Sequence, residues 1–514
     1  MSSEAQHVAL SLQDHLPVLQ VLIPFLAGPL IVLLGSRNLA WPVAFIASFA
    51  ALICSGLLLS QVMDGGFISY HIGGWAPPLG IEYRVDAANA LVLLLISGIS
   101  TVVLPFAKVS VADEISQRHH TLFYATYMLC LTGLLGVVIT GDAFNVFVFL
   151  EISSLSTYVL VAKGASKDRR ALSAAYDYLI MGTIGATFFV IGLGLLYMAT
   201  GTLNMADMAD RIAALGTNRT VQAGFAFIII GMGLKAAMFP LHHWLPNAYN
   251  YAPSAVTAFL AATATKAAIY VMLRFMFSVF QPDFVLDMGA TWIIGLLAVI
   301  AMFTASFIAV FQNNFKRMLA YSSIAQIGYM LLGISLFNLN GLTATMVHLF
   351  NHGITKAALF MAVGALVLRT GTTFYDRIAG MGRVMPFTGA AVVVGGLSLI
   401  GVPGTAGFIS KWVLVQAAFD NGWWWMALAI MASSLLAVIY VWRIVETLYL
   451  HAPNPEAEHH EAPLMMLVPI WIMAGSCVWF GFDTELTLGT ARTAAEALLA
   501  GSAGMAEIPT AAMH

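Results

Sequence analysis

Fourteen apolar runs of bilayer length constrain the fold of this chain more than any other feature. A membrane-spanning helix needs about 20 consecutive, mainly apolar residues. Of the 514 residues, 60% are hydrophobic and only 9% are charged, whereas a soluble domain carries about 25% charged residues. The sequence therefore predicts an all-α polytopic membrane protein. The runs lie at residues 17–36, 40–62, 85–107, 121–140, 143–162, 172–199, 223–246, 253–279, 289–312, 319–337, 341–368, 387–412, 423–449 and 463–482.

The distribution of lysine and arginine between the loops predicts the orientation of these spans. Short cytoplasmic loops are enriched in both residues. One set of alternate loops is basic, whereas the other set, with the C-terminal tail, holds only Arg84, Arg211, Arg219 and Arg492. We therefore expect the basic set to face the cytoplasm and both termini to lie on the outer side. The basic set comprises Arg37, Lys108, Arg118, Lys163, Lys167, Arg169, Arg170, Lys316, Arg317, Arg369, Arg377 and Arg383.

Residues 231–248 break two rules for a membrane span. The stretch places Lys235 among apolar residues and Pro240 five positions later. Proline removes a backbone donor, and in lipid the freed groups must find protein or water. A buried lysine beside a broken helix is typical of a proton or ion site. The alternative is a proline kink with a lysine that reaches the membrane surface.

A second broken run, residues 401–411, contains Pro403 and ends at Lys411. The two breaks lie five predicted helices apart, and an odd offset makes the two units cross the membrane in opposite senses, as in an inverted repeat. We expect residues 1–120 to form helices 1–3 with an ordered outer loop, and residues 121–280 (helices 4–8) and 281–450 (helices 9–13) to form the repeats. Residues 451–514 would form an inner loop, helix 14 and a tail. For Lys411 the alternative is a lysine at the end of its span that reaches the surface.

Other ionisable residues also lie deep in the predicted spans, where each needs a partner or a function. Glu151 is expected to pair with Lys235, either as part of a proton path or as an ion pair that locks two helices. Lys266 lies among small residues that let a helix or water approach, which favours a proton carrier over a structural lysine.

His348, His352 and Lys356 recur at a spacing of four residues. This spacing places all three on one helix face over about 12 Å. Histidine exchanges protons near neutral pH, so the row is typical of a proton wire. Hydrogen-bonded core histidines are the alternative.

Motifs for soluble cofactors are absent from the sequence. It has no phosphate loop, no dinucleotide-binding glycine pattern and no haem or iron–sulfur ligand pattern. Its three cysteines are far apart, and its net charge of −3 gives no reason to expect nucleic acid. The histidines of the loop 450–462 (His451, His459 and His460) favour a solvated linker over a metal site. We therefore expect a transporter component without a cofactor or metal rather than an enzyme, driven by ion gradients or by partner subunits.

Six segments together resemble one known family: residues 149–154, 233–248, 252–258, 316–329, 348–356 and 403–411. They resemble the motifs of the proton-translocating antiporter-like subunits shared by respiratory complex I, membrane-bound hydrogenases and multisubunit Mrp-type Na⁺/H⁺ antiporters. The resemblance covers roughly residues 70–450. It implies fourteen helices, two inverted five-helix repeats, broken helices 7 and 12, and a polar axis at mid-membrane.

The resemblance also implies a role for each buried residue. Glu151 and Lys235 would be the coupling pair, Lys266 the central relay, and Lys411 the terminal exchange site. His348, His352 and Lys356 would be the wire between the two lysines.

Length and the stretch 73–87 most resemble the D-type subunits of Mrp antiporters. This implies a membrane component in a bacterial inner membrane that exchanges H⁺ for Na⁺ or K⁺, beside a large A-type subunit and small hydrophobic subunits. The alternative is a pumping component of a redox-driven complex. A freestanding solute transporter is a further alternative.

Overall fold

Helices form nearly all of the computed structural model, which describes residues 12–216, 218–453 and 460–500. The first half contains α1 Leu16–Leu34, α2 Arg37–Gly65, α3 Ala87–Glu114, α4 His120–Ile139, α5 Ala143–Ala162, α6 Arg170–Thr200, α7 Met205–Leu215, α8 Arg219–Lys235, α9 Trp244–Tyr251, α10 Ser254–Leu273 and α11 Pro282–Asp287. The second half contains α12 Ala290–Val310, α13 Phe315–Leu336, α14 Leu339–Thr370, α15 Tyr375–Ile378, α16 Met381–Val384, α17 Pro386–Ile400, α18 Ala406–Asp420, α19 Trp424–Tyr449, α20 Leu464–Phe482 and α21 Thr490–Leu499.

The predicted all-α, multi-pass architecture is confirmed. In the described ranges, twelve helices are long and apolar enough to cross a membrane. Two of the fourteen predicted spans, 223–246 and 387–412, are instead each divided between two shorter helices. The total of fourteen spans, the inverted repeats and the division at residues 120, 280 and 450 stay predictions. The predicted location of the two termini concerns residues outside the described ranges.

The first break separates α8 from α9. Helix α8 ends at Lys235, Ala237 has a positive φ of 58° and Pro240 follows, so the regular hydrogen-bond ladder stops here. The Nε1–H of Trp244 donates to the carbonyl oxygen of Leu234 at 3.1 Å. This bond satisfies one of the carbonyl groups that a helix end leaves open.

The second break separates α17 from α18 and contains Pro403. Gly401 and Gly404 adopt positive φ values of 90° and 85°, which glycine tolerates without steric cost. A Cβ on Gly407 would lie 1.8 Å from the carbonyl oxygen of Ser398. The two half-helices therefore approach so closely that only glycine fits between them.

Helices α10, α13 and α14 form the centre of the molecule. Almost every residue of α14 from Gly341 to Leu366 is buried, and this helix packs against α3, α10, α13, α17, α18, α20 and α21. The helices α2, α12 and α19 instead carry large apolar side chains on exposed faces, as expected for helices in contact with lipid. The central position of α14 encloses its polar side chains in protein.

The outer loop that the sequence predicts to be ordered forms an antiparallel hairpin. Strands β1 (Ile68–His71) and β2 (Glu82–Val85) pair with Ile68 opposite Val85. Asp86 then begins α3 with a capping box that it forms with Asn89. The hairpin thus runs directly into one of the helices that surround the centre.

Candidate functional site

Lys235 and Glu151 approach each other on neighbouring helices but form no direct ion pair. The Nζ of Lys235, at the end of α8, donates to the Oγ of Ser154 on α5 at 2.6 Å. Glu151 lies three residues before Ser154, so both share one face of α5. Its Oε1 is buried and has no hydrogen-bond partner among the described protein groups. The expected direct pair is thus replaced by a serine-bound lysine beside an unpaired carboxylate oxygen.

Lys411 is buried in the second break and does not reach the membrane surface. Its side chain is 6% exposed. The Nζ donates to the carbonyl oxygens of Ile400 at 2.8 Å and Leu399 at 3.1 Å, and to the Oγ of Ser434 at 3.1 Å. The end of a helix carries partial negative charge on such carbonyl groups, which stabilises the ammonium. The ring of Tyr329 adds a cation–π contact at 4.8 Å.

The predicted position of Lys411 at the end of its span is wrong. Lys411 lies in the second turn of α18, which continues to Asp420, and its side chain reaches back across the break to α17. The apolar run ends at this lysine, but the helix continues because protein groups solvate the ammonium. Lys235 precedes its break and Lys411 follows its own, so the two lysines are not placed equivalently.

Lys266 and Lys356 lie in the centre, and both are 0% exposed. The Nζ of Lys266 donates to the carbonyl oxygen of Ala261 at 2.5 Å and to Thr265 Oγ1 at 3.4 Å. The Nζ of Lys356 donates to the carbonyl oxygen of Leu319 at 2.8 Å and to Ser322 Oγ, also on α13, at 2.5 Å. Among the described residues, neither lysine has a carboxylate within 4.0 Å. Neutral oxygens accept the hydrogen bonds of these two buried amines.

The two histidines form a row between Lys356 and Lys411. The rings of His348 and His352 are 5.7 Å apart and nearly parallel, with an interplanar angle of 3°. The Nδ1 of His348 is 2.8 Å from the Oγ of Ser410, the residue before Lys411. Among the described protein groups, the Nε2 of His348 and both ring nitrogens of His352 have no hydrogen-bond partner. The alternative of fully hydrogen-bonded core histidines therefore does not hold for His352.

Lys266 approaches this row from α10. A Cβ on Gly353, the residue after His352, would lie 3.0 Å from the carbonyl oxygen of Ala262 on α10. The two helices are therefore in close contact one turn from Lys266. The structure thus brings Lys266, His348, His352, Lys356 and Lys411 into one buried basic row, while Glu151 and Lys235 form a separate group on α5 and α8.

Sequence reasoning missed the hydroxyl groups that hold the lysines and two further buried charges. Ser154, Ser322, Ser410, Ser434 and Tyr329 contact the site, but hydroxyl residues are common in membrane helices and give no sequence signal of their own. The two charges are Glu114, at the end of α3, and Lys316, at the start of α13; their side chains are 9% and 4% exposed. The sequence pattern predicts Lys316 as a loop cation, and that prediction is wrong.

No metal site is found in the part of the chain that the structure describes: no three His, Cys, Asp or Glu residues there are placed to bind a metal ion. His451 and His460 belong to the described ranges, whereas His459 lies outside them. The three cysteines, Cys54, Cys130 and Cys477, are free and buried.

A multi-pass helical bundle with two broken helices and a buried basic row defines the class of this protein as a membrane component built around charged groups inside the bilayer. The chain belongs to the family described as NADH:quinone oxidoreductase/Mrp antiporter, TM, which matches residues 140–437. All seven predicted site residues lie within this match.

Curated relatives from both branches of this family resemble the chain along almost its whole length. The N-type subunit of the NADH-quinone oxidoreductase of Desulforudis audaxviator is 36% identical over 92% of this chain and 96% of its own. The D-type subunit of the Na(+)/H(+) antiporter of Alkalihalophilus pseudofirmus is 30% identical over 92% of this chain and 94% of its own.

A solved structure of the Mrp complex from Dietzia sp. contains a chain with the same fold. It aligns with a TM-score of 0.89 at 26% identity, over 97% of this chain and 99% of that one. The expected resemblance to antiporter-like subunits, and to the D-type subunits of Mrp antiporters among them, is therefore confirmed. The two relatives and this solved chain are all components of multisubunit membrane complexes.

Proposed function

We propose that this chain is the proton-translocating component of a multisubunit monovalent cation/proton antiporter in a bacterial inner membrane. The observation that carries the proposal is the buried basic row, in which three lysines and two histidines lie together with no carboxylate partner among the described residues. The similarity to the D-type subunit of a Na(+)/H(+) antiporter supports the assignment to an antiporter. Its partners would be a large A-type subunit and small hydrophobic subunits, and the exchanged cation Na⁺ or K⁺. The basic loops would face the cytoplasm.

The contacts of the lysines explain how such a row can carry protons. An amine held by a carboxylate stays charged, because losing its proton would leave an unpaired buried charge. Lys266, Lys356 and Lys411 bond to carbonyl and hydroxyl oxygens instead. Each can therefore release a proton. As a neutral amine with two N–H donors, Lys266 or Lys356 can keep donating to both of its oxygens, whereas Lys411 would give up one of its three hydrogen bonds. Protons would move between Lys266 and Lys411 through His352 and His348, since each move breaks one N–H bond and forms another.

Glu151 and Lys235 would control this row through their charge. In the structure, Lys235 bonds to Ser154 and the Oε1 of Glu151 has no partner among the described groups, so the pair is open. Closing it would neutralise a cation near the row. A unit charge about 10 Å away contributes about 1.7 kcal/mol at an effective dielectric constant of about 20. Moving one charge across a membrane potential of 100 mV is worth about 2.3 kcal/mol, so opening and closing the pair would change the energy of a proton in the row by a comparable amount.

A redox-driven proton pump is the second candidate, favoured by the 36% identity to the N-type subunit of an NADH-quinone oxidoreductase. The chain would then have the same proton path but a different source of energy. No residue of the described basic row distinguishes these two functions, because both need the same proton chemistry.

Purification of the intact complex distinguishes the two candidates. The chain is isolated gently from its native membrane, its partners are identified by mass spectrometry, and vesicles containing the complex are tested for collapse of a pH gradient on addition of Na⁺ or K⁺. We expect small membrane subunits and cation-dependent collapse. Flavin or iron–sulfur partners without cation dependence would instead assign the chain to a redox complex. Cation-dependent collapse by this chain alone would identify a freestanding transporter.

A further inference from the structure

A cavity opens at the end of the bundle that carries the basic loops. Its volume is about 270 Å³, and the ends of α3, α9, α10, α13 and α14 meet around it. We call this cavity the vestibule. The residues that line it and matter below are Glu114, Pro253, Lys316 and Val367. Lys167, Arg170 and Arg317 lie at the same cavity, so it belongs to the face predicted to be cytoplasmic.

Two buried charges of opposite sign lie in the wall of the vestibule, and both bind the junction between α9 and α10. The Glu114 carboxylate accepts from the backbone N–H of Ser254 at 2.9 Å and from Ser110 Oγ at 2.6 Å. Lys316 Nζ donates to the carbonyl oxygen of Ala252 at 3.1 Å. An ammonium has three N–H donors, and this bond uses one of them. The others remain for water in the cavity.

Lys316 leads from the vestibule to the basic row. It is the second residue of α13, and Lys356 bonds to the same helix at Leu319 and Ser322. These residues lie three and six positions further along α13, which is about 4.5–9 Å of helix axis. Through α14 alone, the distance from Val367 at the vestibule to Lys356 is eleven residues, or about 16 Å. Lys316 and the two groups that bind Lys356 thus lie on one helix within two turns of each other.

We propose that the vestibule is the cytoplasmic mouth of the proton path and that Glu114 and Lys316 pass protons between its water and Lys356. This inference rests on the proposed function. The Lys316 ammonium would give one proton to a neutral Lys356 amine, and cavity water, directly or through Glu114, would return a proton to Lys316. At each step one O–H or N–H bond breaks and one O–H or N–H bond forms, with no change in electron count. Protons would therefore enter the row at Lys356 and pass from there to Lys266 and to the histidines.

Blocking the vestibule tests this inference in the intact complex. The native cysteines are buried, so Val367→Cys offers a reactive thiol in the cavity. Inside-out vesicles are treated with a membrane-impermeant, bulky cationic methanethiosulfonate. The control is Ser116→Cys, an exposed position two residues beyond Glu114 on the same face. We expect labelling of Val367→Cys to slow cation-dependent proton movement about tenfold, and labelling of Ser116→Cys to leave the rate unchanged.

The other outcomes separate this inference from the proposed function. A labelled Val367→Cys complex with the same rate as the labelled control would overturn the inference, as would a thiol that does not react from the cytoplasmic face. An unlabelled wild-type complex without cation-dependent proton movement would instead overturn the proposed function.

A second comparison tests Glu114 itself. Glu114→Gln keeps an acceptor oxygen for Ser254 but cannot carry a proton, whereas Asp376→Asn changes an exposed carboxylate of α15 that is not among the residues lining the vestibule. We expect Glu114→Gln to change the dependence of the transport rate on cytoplasmic pH and Asp376→Asn to leave it unchanged. A Glu114→Gln complex that assembles and keeps the wild-type pH profile would contradict a role in proton transfer. Glu114 would then only accept the hydrogen bond from Ser254 at the start of α10.

Discussion

Replacing His352 with leucine separates a proton carrier from a structural histidine. Neither ring nitrogen of His352 has a hydrogen-bond partner among the described protein groups, although its side chain is only 3% exposed. Leucine removes no protein hydrogen bond and places an apolar side chain in a buried site. A buried polar group without a partner costs about 1–3 kcal/mol. We therefore expect His352→Leu to leave the thermal stability of the complex unchanged or to raise it.

The same substitution is expected to stop proton movement along the row. The ring centroids of His348 and His352 are 5.7 Å apart, and one water can bridge this gap. Without His352, the step from His348 to Lys356 spans eight residues, or about 12 Å. Removing a positioned proton carrier costs typically about 10²–10⁴ in rate. Cation-driven proton movement in vesicles should fall by at least about a hundredfold, while Met361→Leu, a buried apolar change on the same helix, should have no effect. A His352→Leu complex that is destabilised but transports normally would refute this reasoning.

Two further predictions concern pairs of oppositely charged residues. Arg274→Ala leaves the carboxylate of Asp86 without its bidentate partner, whose contacts are 2.7 and 2.8 Å. We expect a loss of about 3–5 kcal/mol of stability, measured by thermal unfolding in detergent and largely recovered in the double variant Arg274→Ala/Asp86→Asn, in which asparagine can still cap α3. Glu151→Ala and Lys235→Ala are each expected to abolish antiport while the complex still assembles, as judged by gel filtration and transport in vesicles. Retained transport in both variants would exclude the proposed control by this pair.

The helical architecture and its two breaks can be predicted because they follow from local sequence. Apolar runs of bilayer length set the helices, and Pro240 and Pro403 lie in the breaks that the structure contains. Hydropathy ends the twelfth run at residue 412, next to Lys411, because it treats any lysine as polar, whereas α18 continues to Asp420. In the structure, the carbonyl groups of Leu399 and Ile400 solvate this ammonium, and no property of the sequence at Lys411 alone reveals that contact.

The side-chain contacts of the site depend on neighbours that are distant in sequence. Lys235 bonds to Ser154, 81 residues away, and not to Glu151, although Ser154 and Glu151 share one face of α5. The positive-inside rule counts Lys316 as a loop cation because it considers only where a residue lies between the apolar runs of the sequence. The burial of this lysine arises where several helix ends meet at the vestibule, and a helix packing of this kind cannot be deduced from one sequence.

Proton movement through the Lys266→Met complex tests the central claim most directly. Methionine keeps the length of the side chain but cannot hold a proton, and Lys266 has no carboxylate partner in the described structure that its loss would leave unpaired. The purified complex is reconstituted in proteoliposomes, and the collapse of an imposed pH gradient is recorded on addition of Na⁺ or K⁺. We expect the Lys266→Met complex to assemble normally and to reduce the collapse to the level of empty liposomes. An assembled Lys266→Met complex that collapses the gradient at the wild-type rate would contradict the claim that protons cross the membrane along this buried basic row.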